Sequence, residues 1–396
     1  MLLVGVGGVS AAVRRPPHPG QPAVPHPTPR PTVTRLADRT LPAFLLPTTY
    51  AVGEDTASDA SQLYADPTGE RARTGDPTLQ SPFVAGVSAG GATQFTVGMG
   101  SAFSGGARVA RAEITGDGVD DIVVGSGPGS PNVVRVVNGA THNVVFQFQP
   151  FEPTFTGGVN VAVGDVTGDG VADLIVTPDQ GGGPRVQVYR GLGLVKIADF
   201  FGIDDPNFRG GARAAVGDFN GDGVGDLVVA AGFGGGPRVA VYDGTSITGT
   251  PRKLFNDVFV FEDTLRNGAY VAAGDLNGDG LSDLFAAGGP GGAPRVLVLD
   301  GEGLMTGQTT PLANFFAGDP TSRTGVRIAT KNLDGDGRAD LVVGAGPGGK
   351  SDVMVYSGAT LLGSPNPTPD RESNVFPSND FADGVFVGYE MMAKDV

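Results

Sequence analysis

Nine-residue strings rich in acidic side chains recur five times: Glu113–Asp121 (EITGDGVDD), Asp165–Asp173 (DVTGDGVAD), Asp218–Asp226 (DFNGDGVGD), Asp275–Asp283 (DLNGDGLSD) and Asn332–Asp340 (NLDGDGRAD). Position 1 is Glu113, Asp165, Asp218, Asp275 or Asn332, and position 3 is Thr115, Thr167, Asn220, Asn277 or Asp334. Position 5 is always Asp (Asp117, Asp169, Asp222, Asp279, Asp336), as is position 9 (Asp121, Asp173, Asp226, Asp283, Asp340). Oxygens at positions 1, 3 and 5 converge only if the backbone curls tightly between them. The glycines that always fill positions 4 and 6 permit that curl, because glycine takes a positive φ without steric cost. Position 7 (Val119, Val171, Val224, Leu281, Arg338) then offers its carbonyl, and the Asp at position 9 closes an all-oxygen shell. Such a shell suits a hard divalent cation, and Ca2+ is the expected occupant, one per string. Softer metals are poorly matched, since no nitrogen or sulfur ligand is present. The same strings also make good metal-free turns. That reading accounts for the glycines but leaves the acids at positions 5 and 9 repelling each other.

The spacing of donors is like the first half of an EF-hand loop. An EF-hand or a dockerin would continue into a helix, whereas here runs such as Leu174-Ile175-Val176 and Leu227-Val228-Val229 follow. The loops therefore join strands. Their starts are 52, 53, 57 and 57 residues apart, which makes the chain a repeat array. Within each repeat a short alternating run precedes the loop and an apolar run follows it. A glycine-rich turn then leads to a second alternating run, such as Pro184–Tyr189. A last run ends in aromatics: Phe200-Phe201, Phe259–Phe261 and Phe315-Phe316. Four strands per repeat, with no sustained helical period, predict an all-β fold, a β-propeller of four-stranded blades. Residues 83–97 read as the second half of a repeat and 376–390 as a first half. Joined, they would form a composite blade that closes the ring, for six blades in all. Seven would require strands from 50–82, which read poorly as such.

Composition narrows the function. The 396 residues contain no Cys and three His, which excludes thiol chemistry, zinc–thiolate sites and His-centred triads. A net charge of −15 argues against a nucleic-acid partner. With 40% apolar and 17% charged residues, the chain has the means to fold despite 66 Gly and 31 Pro. No apolar run reaches the length of a transmembrane helix. Residues 1–13 (MLLVGVGGVSAAV) resemble the apolar region of a secretory signal, without its basic start. Residues 14–80 read as a Pro-rich flexible linker, and 81–396 as the propeller. Within the linker, Arg35–Ala43 (RLADRTLPA) is similar to a stretch near the N-termini of many secreted planctomycete proteins.

The run Phe208-Arg-Gly-Gly-Ala-Arg-Ala-Ala-Val-Gly-Asp-Phe-Asn-Gly-Asp-Gly-Val-Gly-Asp-Leu-Val-Val, with weaker copies in the other repeats, resembles the FG-GAP or VCBS-type repeats of the integrin α-subunit propeller. That resemblance spans about residues 83–396 and implies calcium in blade-edge loops, an extracellular, cell-surface or periplasmic setting, and adhesion or ligand binding. The departures are a more uniform and glycine-rich repeat, fewer than the seven blades of integrins, and no inserted domain. The expected function is a non-enzymatic binding, adhesion or envelope scaffold, a monomer with a protein or polysaccharide partner. A polysaccharide lyase or hydrolase on the same ring is the alternative, and a non-repeating carboxylate or Arg/Lys cluster at one end of the axial channel would favour it. Arg185, Arg238 and Arg295, recurring before Val, are expected to pair with neighbouring acids. The strand-end phenylalanines are expected to pack between blades.

Overall fold

The computed structural model describes residues 107–348, 352–374 and 384–388, together with the backbone of three earlier strands: β1 (Gln62–Ala65), β2 (Phe83–Val87) and β3 (Thr93–Gly98). Five antiparallel four-stranded sheets are each made by one continuous stretch. They are β4–β7 (Ala107–Ala112, Asp121–Ser126, Val134–Val137, Val144–Phe148) and β8–β11 (Val159–Gly164, Asp173–Pro178, Arg185–Arg190, Val195–Phe201). Then follow β12–β15 (Ala212–Gly217, Asp226–Ala231, Arg238–Tyr242, Val258–Phe259), β16–β19 (Ala269–Gly274, Asp283–Gly288, Arg295–Leu299, Pro311–Phe316) and β20–β23 (Val326–Lys331, Asp340–Ala345, Asp352–Tyr356, Arg371–Asn374). Strand β24 is Phe386–Gly388.

The chain is thus an all-β propeller of four-stranded blades. Complete blades of continuous chain number five, not the six preferred from the repeat or the seven kept open. The two ends of the chain meet in a further sheet of order β24-β1-β2-β3. Its make-up differs from the half-and-half composite expected: β1, inside the stretch read as linker, pairs with both β24 and β2. Every other second strand follows a nonapeptide loop. β1 enters from upstream without one, and so showed no motif. The rest of residues 1–80, including the signal-like segment, lies outside the described residues.

The strand patterns have a plain physical origin. β5, β9, β13 and β17 are buried along their whole length, and this is why they read as apolar runs without alternation. β11, at the rim of its sheet, is largely exposed. Blades are joined by aromatic pairs. Phe148 meets Tyr189 of the next blade at 4.8 Å between ring centroids, Phe200 meets Tyr242 at 5.2 Å, and Phe315 meets Tyr356 at 5.1 Å. The expectation of inter-blade packing therefore holds for Phe200, Phe315 and the buried Phe261. It fails for Phe201, Phe259 and Phe316, which are 52%, 54% and 47% exposed because strand alternation turns them outward. A narrow cavity of about 80 Å³ is lined by residues of six strands, among them Val109, Val161, Ala214, Val271, Ile328 and Val387.

Candidate functional site

Each nonapeptide connects the first strand of a blade to the second. The register places position 9 at the first residue of the second strand, opposite the last residue of the first, as in Gly164↔Asp173 and Gly217↔Asp226. The curl between positions 1 and 5 is present in all five loops. In the second loop, for instance, Gly168 and Gly170 have φ of 72° and 82°, in the left-handed region that side chains disfavour.

Position 1 holds that curl from inside. Asp165 accepts the amides of Gly168 and Gly170, both at 2.7 Å, on its two oxygens. Asp218 does the same for Gly221 and Gly223, and Asp275 for Gly278 and Gly280. Glu113 accepts from Thr115, Gly116 and Gly118, whereas Asn332 accepts from Gly335. At position 5 one oxygen of each Asp accepts the amide of position 7 (Val119, Val171, Val224, Leu281, Arg338). Its other oxygen faces position 3 in two loops, where the Asn220 and Asn277 amides reach Asp222 and Asp279 at 3.0 and 2.8 Å. Among position 3 residues, Thr115 is also reached by Asn138, and the Asp334 carboxylate accepts the Asp336 amide.

Position 9 behaves differently from the other acids. All five of these aspartates are at most 1% exposed. One oxygen accepts the amide of position 2 (Ile114, Val166, Phe219, Leu276 or Leu333). The other accepts the amide of a glycine eighteen residues on: Gly139, Gly191, Gly244, Gly301 or Gly358. That glycine follows the third strand, so position 9 pins the start of the loop to the far side of its own blade. A side chain there has no room; a Cβ on Gly244 would lie 2.2 Å from the Gly225 carbonyl oxygen. The signal was present in the sequence as Asp and Gly at fixed separation in every repeat.

The loops also touch one another. The amides of Gly225, Ser282 and Ala339, at position 8, donate to the position 1 carbonyls of the preceding loops, Asp165, Asp218 and Asp275, at 2.7–2.8 Å. Side chains at position 7 close the same seam: Val224, Leu281 and Arg338 lie over Gly168, Gly221 and Gly278 of the loop before. These contacts join the second to fifth loops into a hydrogen-bonded belt, while the first is met at its Ile114 carbonyl, which accepts the Leu192 amide at 2.9 Å.

Among the described residues no three Asp, Glu or His side chains are gathered as a ready metal-holding group. The donors nevertheless fit a hard cation. A carboxylate has about four lone-pair positions, so those that accept amides keep further capacity. Burial, reinforced by the charges at positions 1 and 5, pushes the position 9 carboxyls up: Asp173 to about 6, Asp226 and Asp283 to about 7. Asp340 is raised by burial together with the charges of Asp334 and Asp336 at positions 3 and 5, and Asp121 by burial. A cation between these carboxylates would remove that repulsion.

The recurrent arginines pair as expected. Arg185 makes a two-pronged contact with Asp199 at 2.6 and 2.7 Å and reaches Glu152 at 3.3 Å. Arg238 pairs with Asp257 and Asp204, and Arg295 with Glu262 and Asn314. Glu152, Asp204 and Glu262 belong to the connections that enter each blade, so these contacts tie a blade to its incoming chain. Beside Arg185 a concavity of about 550 Å³ is lined by Phe155, Phe201, Asp199 and Arg209.

No helix among the described residues is long and apolar enough to cross a membrane. The family model described as "FG-GAP-like repeat" matches residues 114–176, 218–286 and 275–343. Integrin alpha-V of Gallus gallus is 26% identical over 201 residues, 46% of this chain and 19% of its own length. Integrin alpha-8 of the same species is 27% identical over 249 residues, 55% of this chain and 23% of its own. The chain thus spans about a fifth of the length of these relatives. Among solved structures, a chain of the nidogen/laminin complex aligns with a TM-score of 0.44 and 11% identity, over 83% of this chain and 97% of that one. The loops and the strand order recur across the matched residues, so the chain carries FG-GAP-like repeats in three places and is similar through them to the integrin α chains.

Proposed function

We propose that this protein is a calcium-stabilised propeller of the extracellular, cell-surface or periplasmic space that serves as a binding or scaffold module. The observation that carries the reading is the set of five acidic loops, each with oxygen donors at the same positions of the same curl. Ca2+, when bound, supplies the positive charge that the carboxylates at positions 1, 5 and 9 lack. Residues at positions 1, 3, 5 and 9, with the carbonyl of position 7, would hold it in each loop. Because the loops are hydrogen-bonded in series, ordering one restrains the next, and the face built on them is presented already ordered, which lowers the entropy cost of engaging a partner. The pairing of β24 with β1 brings strands from both ends of the chain into one sheet, which leaves fewer sheet edges exposed. Kinship with integrin α chains supports an exterior location and a macromolecular partner, protein or polysaccharide.

The enzyme alternative gains little. A non-repeating arginine cluster does exist on the axis, but Arg108, Arg213 and Arg327 are 5–7% exposed, too deep for a polymer to reach. Thermal melts in Ca2+, Mg2+ and EDTA, with calorimetric counting of bound Ca2+, test the proposal. About one Ca2+ per loop and a melting temperature that collapses in EDTA are expected. Unchanged melting without binding would reduce the loops to turns.

A further inference from the structure

The positions that break the repeat meet on the axis. The second residue of the first strand is Arg108 in β4, Asn160 in β8, Arg213 in β12, Tyr270 in β16 and Arg327 in β20. The Arg213 guanidinium stacks 3.7 Å over the Tyr270 ring, while Arg327 and Arg108 stand 3.9 and 4.5 Å from the ring centre of Phe386. Asp179 joins them from the turn after β9, where the other four blades have glycine (Gly127, Gly232, Gly289, Gly346). It accepts from Arg108 Nη2 at 2.7 Å. Burial alone would raise the Asp179 pKa, but Arg108 and Arg213 beside it hold it below the usual carboxylate range.

One carboxylate therefore serves two guanidiniums. An arginine cannot shed its proton to escape burial, and an uncompensated buried charge is strongly unfavourable. Nε and Nη1 of Arg108 and Nη1 of Arg213 are buried and make no hydrogen bond. Such donors require an acceptor. One residue further along the same strands lies the apolar cavity of about 80 Å³, lined by Val109, Ala214, Val271 and Ile328.

We propose that this layer is a binding site for a small carboxylate ion of formate or acetate size, held by Arg108 and Arg213 with its carbon end towards the axial cavity. Three buried arginines face the one carboxylate of Asp179, and a single further negative charge offsets the part of the surplus that falls on Arg108 and Arg213. A planar carboxylate suits guanidinium edges, and the size of the cavity admits only a short apolar end. The site shares no residue with the acidic loops, so it stands or falls separately from calcium binding.

The test is equilibrium melting of the full chain at one saturating Ca2+ concentration, with sodium acetate titrated against sodium chloride at equal ionic strength. Acetate at about tenfold over half-saturation should raise the melting temperature by about 2–4 °C in a saturable way. Arg213→Gln, which leaves Arg108 balanced by Asp179, should lose the saturable part. Asp179→Asn, which enlarges the charge surplus, should strengthen it. A shift that grows without saturating and persists in Arg213→Gln is a general salt effect and overturns the proposal. So does a sulfate response equal to that of acetate. If Arg213→Gln fails to fold, Asp179→Asn decides: an acetate response no stronger than that of the unmodified chain also overturns it.

Discussion

The loop belt and the axial layer are built on opposite plans. The belt is acidic, borders solvent and is nearly the same in five blades. The axial layer is basic, with buried arginines, and varies between blades: Arg in three, Asn160 and Tyr270 in the others. Each member of the belt is stabilised mainly by its own blade through local amide bonds, so the same nine residues suffice wherever they occur. The axial side chains depend mostly on residues of other blades, as Arg108 does on Asp179 and Arg213 on Tyr270. Repetition here marks what each blade needs to form. Departure from repetition marks what only the assembled blades can use.

Several perturbations separate these plans. If the loops hold Ca2+ as proposed, its removal should act most strongly, since each site held at a hundredfold over its Kd contributes about 2.7 kcal/mol. The metal-free protein should also acquire a distinctive pH dependence. Asp226 and Asp283 have folded pKa values raised to about 7, against an ordinary 3.8. The folded state therefore binds more protons than the unfolded state between those values. Its stability in EDTA should fall as pH rises from about 4 to about 7, a loss that Ca2+ should suppress and that melts across this range would detect.

Within the belt, Asp226→Ala should cost about 2–6 kcal/mol in urea unfolding even in EDTA, because the buried amides of Phe219 and Gly244 both lose their acceptor. Asp222→Ala, in the same loop but exposed, should change little in EDTA and instead weaken the calcium response. Equal costs for the two in EDTA would erase the distinction between position 9 and position 5. Gly244→Ala should cost about 1–3 kcal/mol by forcing a Cβ against the Gly225 carbonyl. Arg185→Gln should cost about 1 kcal/mol, as it loses a two-pronged but only half-buried pair with Asp199 and a contact to the largely exposed Glu152.

Much of this could be seen in the chain before it folded. The curl, its glycines and the strand on either side depend on contacts within a dozen residues. For position 9, expected as a closing ligand, the structure adds a bond across eighteen residues, as from the Gly244 amide to Asp226. The phenylalanines divided, Phe200 inward and Phe201 outward, by strand alternation that a paired aromatic run conceals. The strand at Gln62–Ala65 was missed because no loop motif announces it.

The amino-acid sequence by itself determined the all-β class, the repeat, the four strands of each blade and the acidic loops, since all of these follow from local spacing and backbone preference. Tertiary structure decided which strands the two chain ends contribute to their shared sheet, and that position 9 acts as a buried bolt. It also decided that Arg108, Arg213 and Asp179 share one low-dielectric layer. These outcomes depend on segments far apart in the chain meeting around an axis, and no local pattern encodes where that meeting takes place.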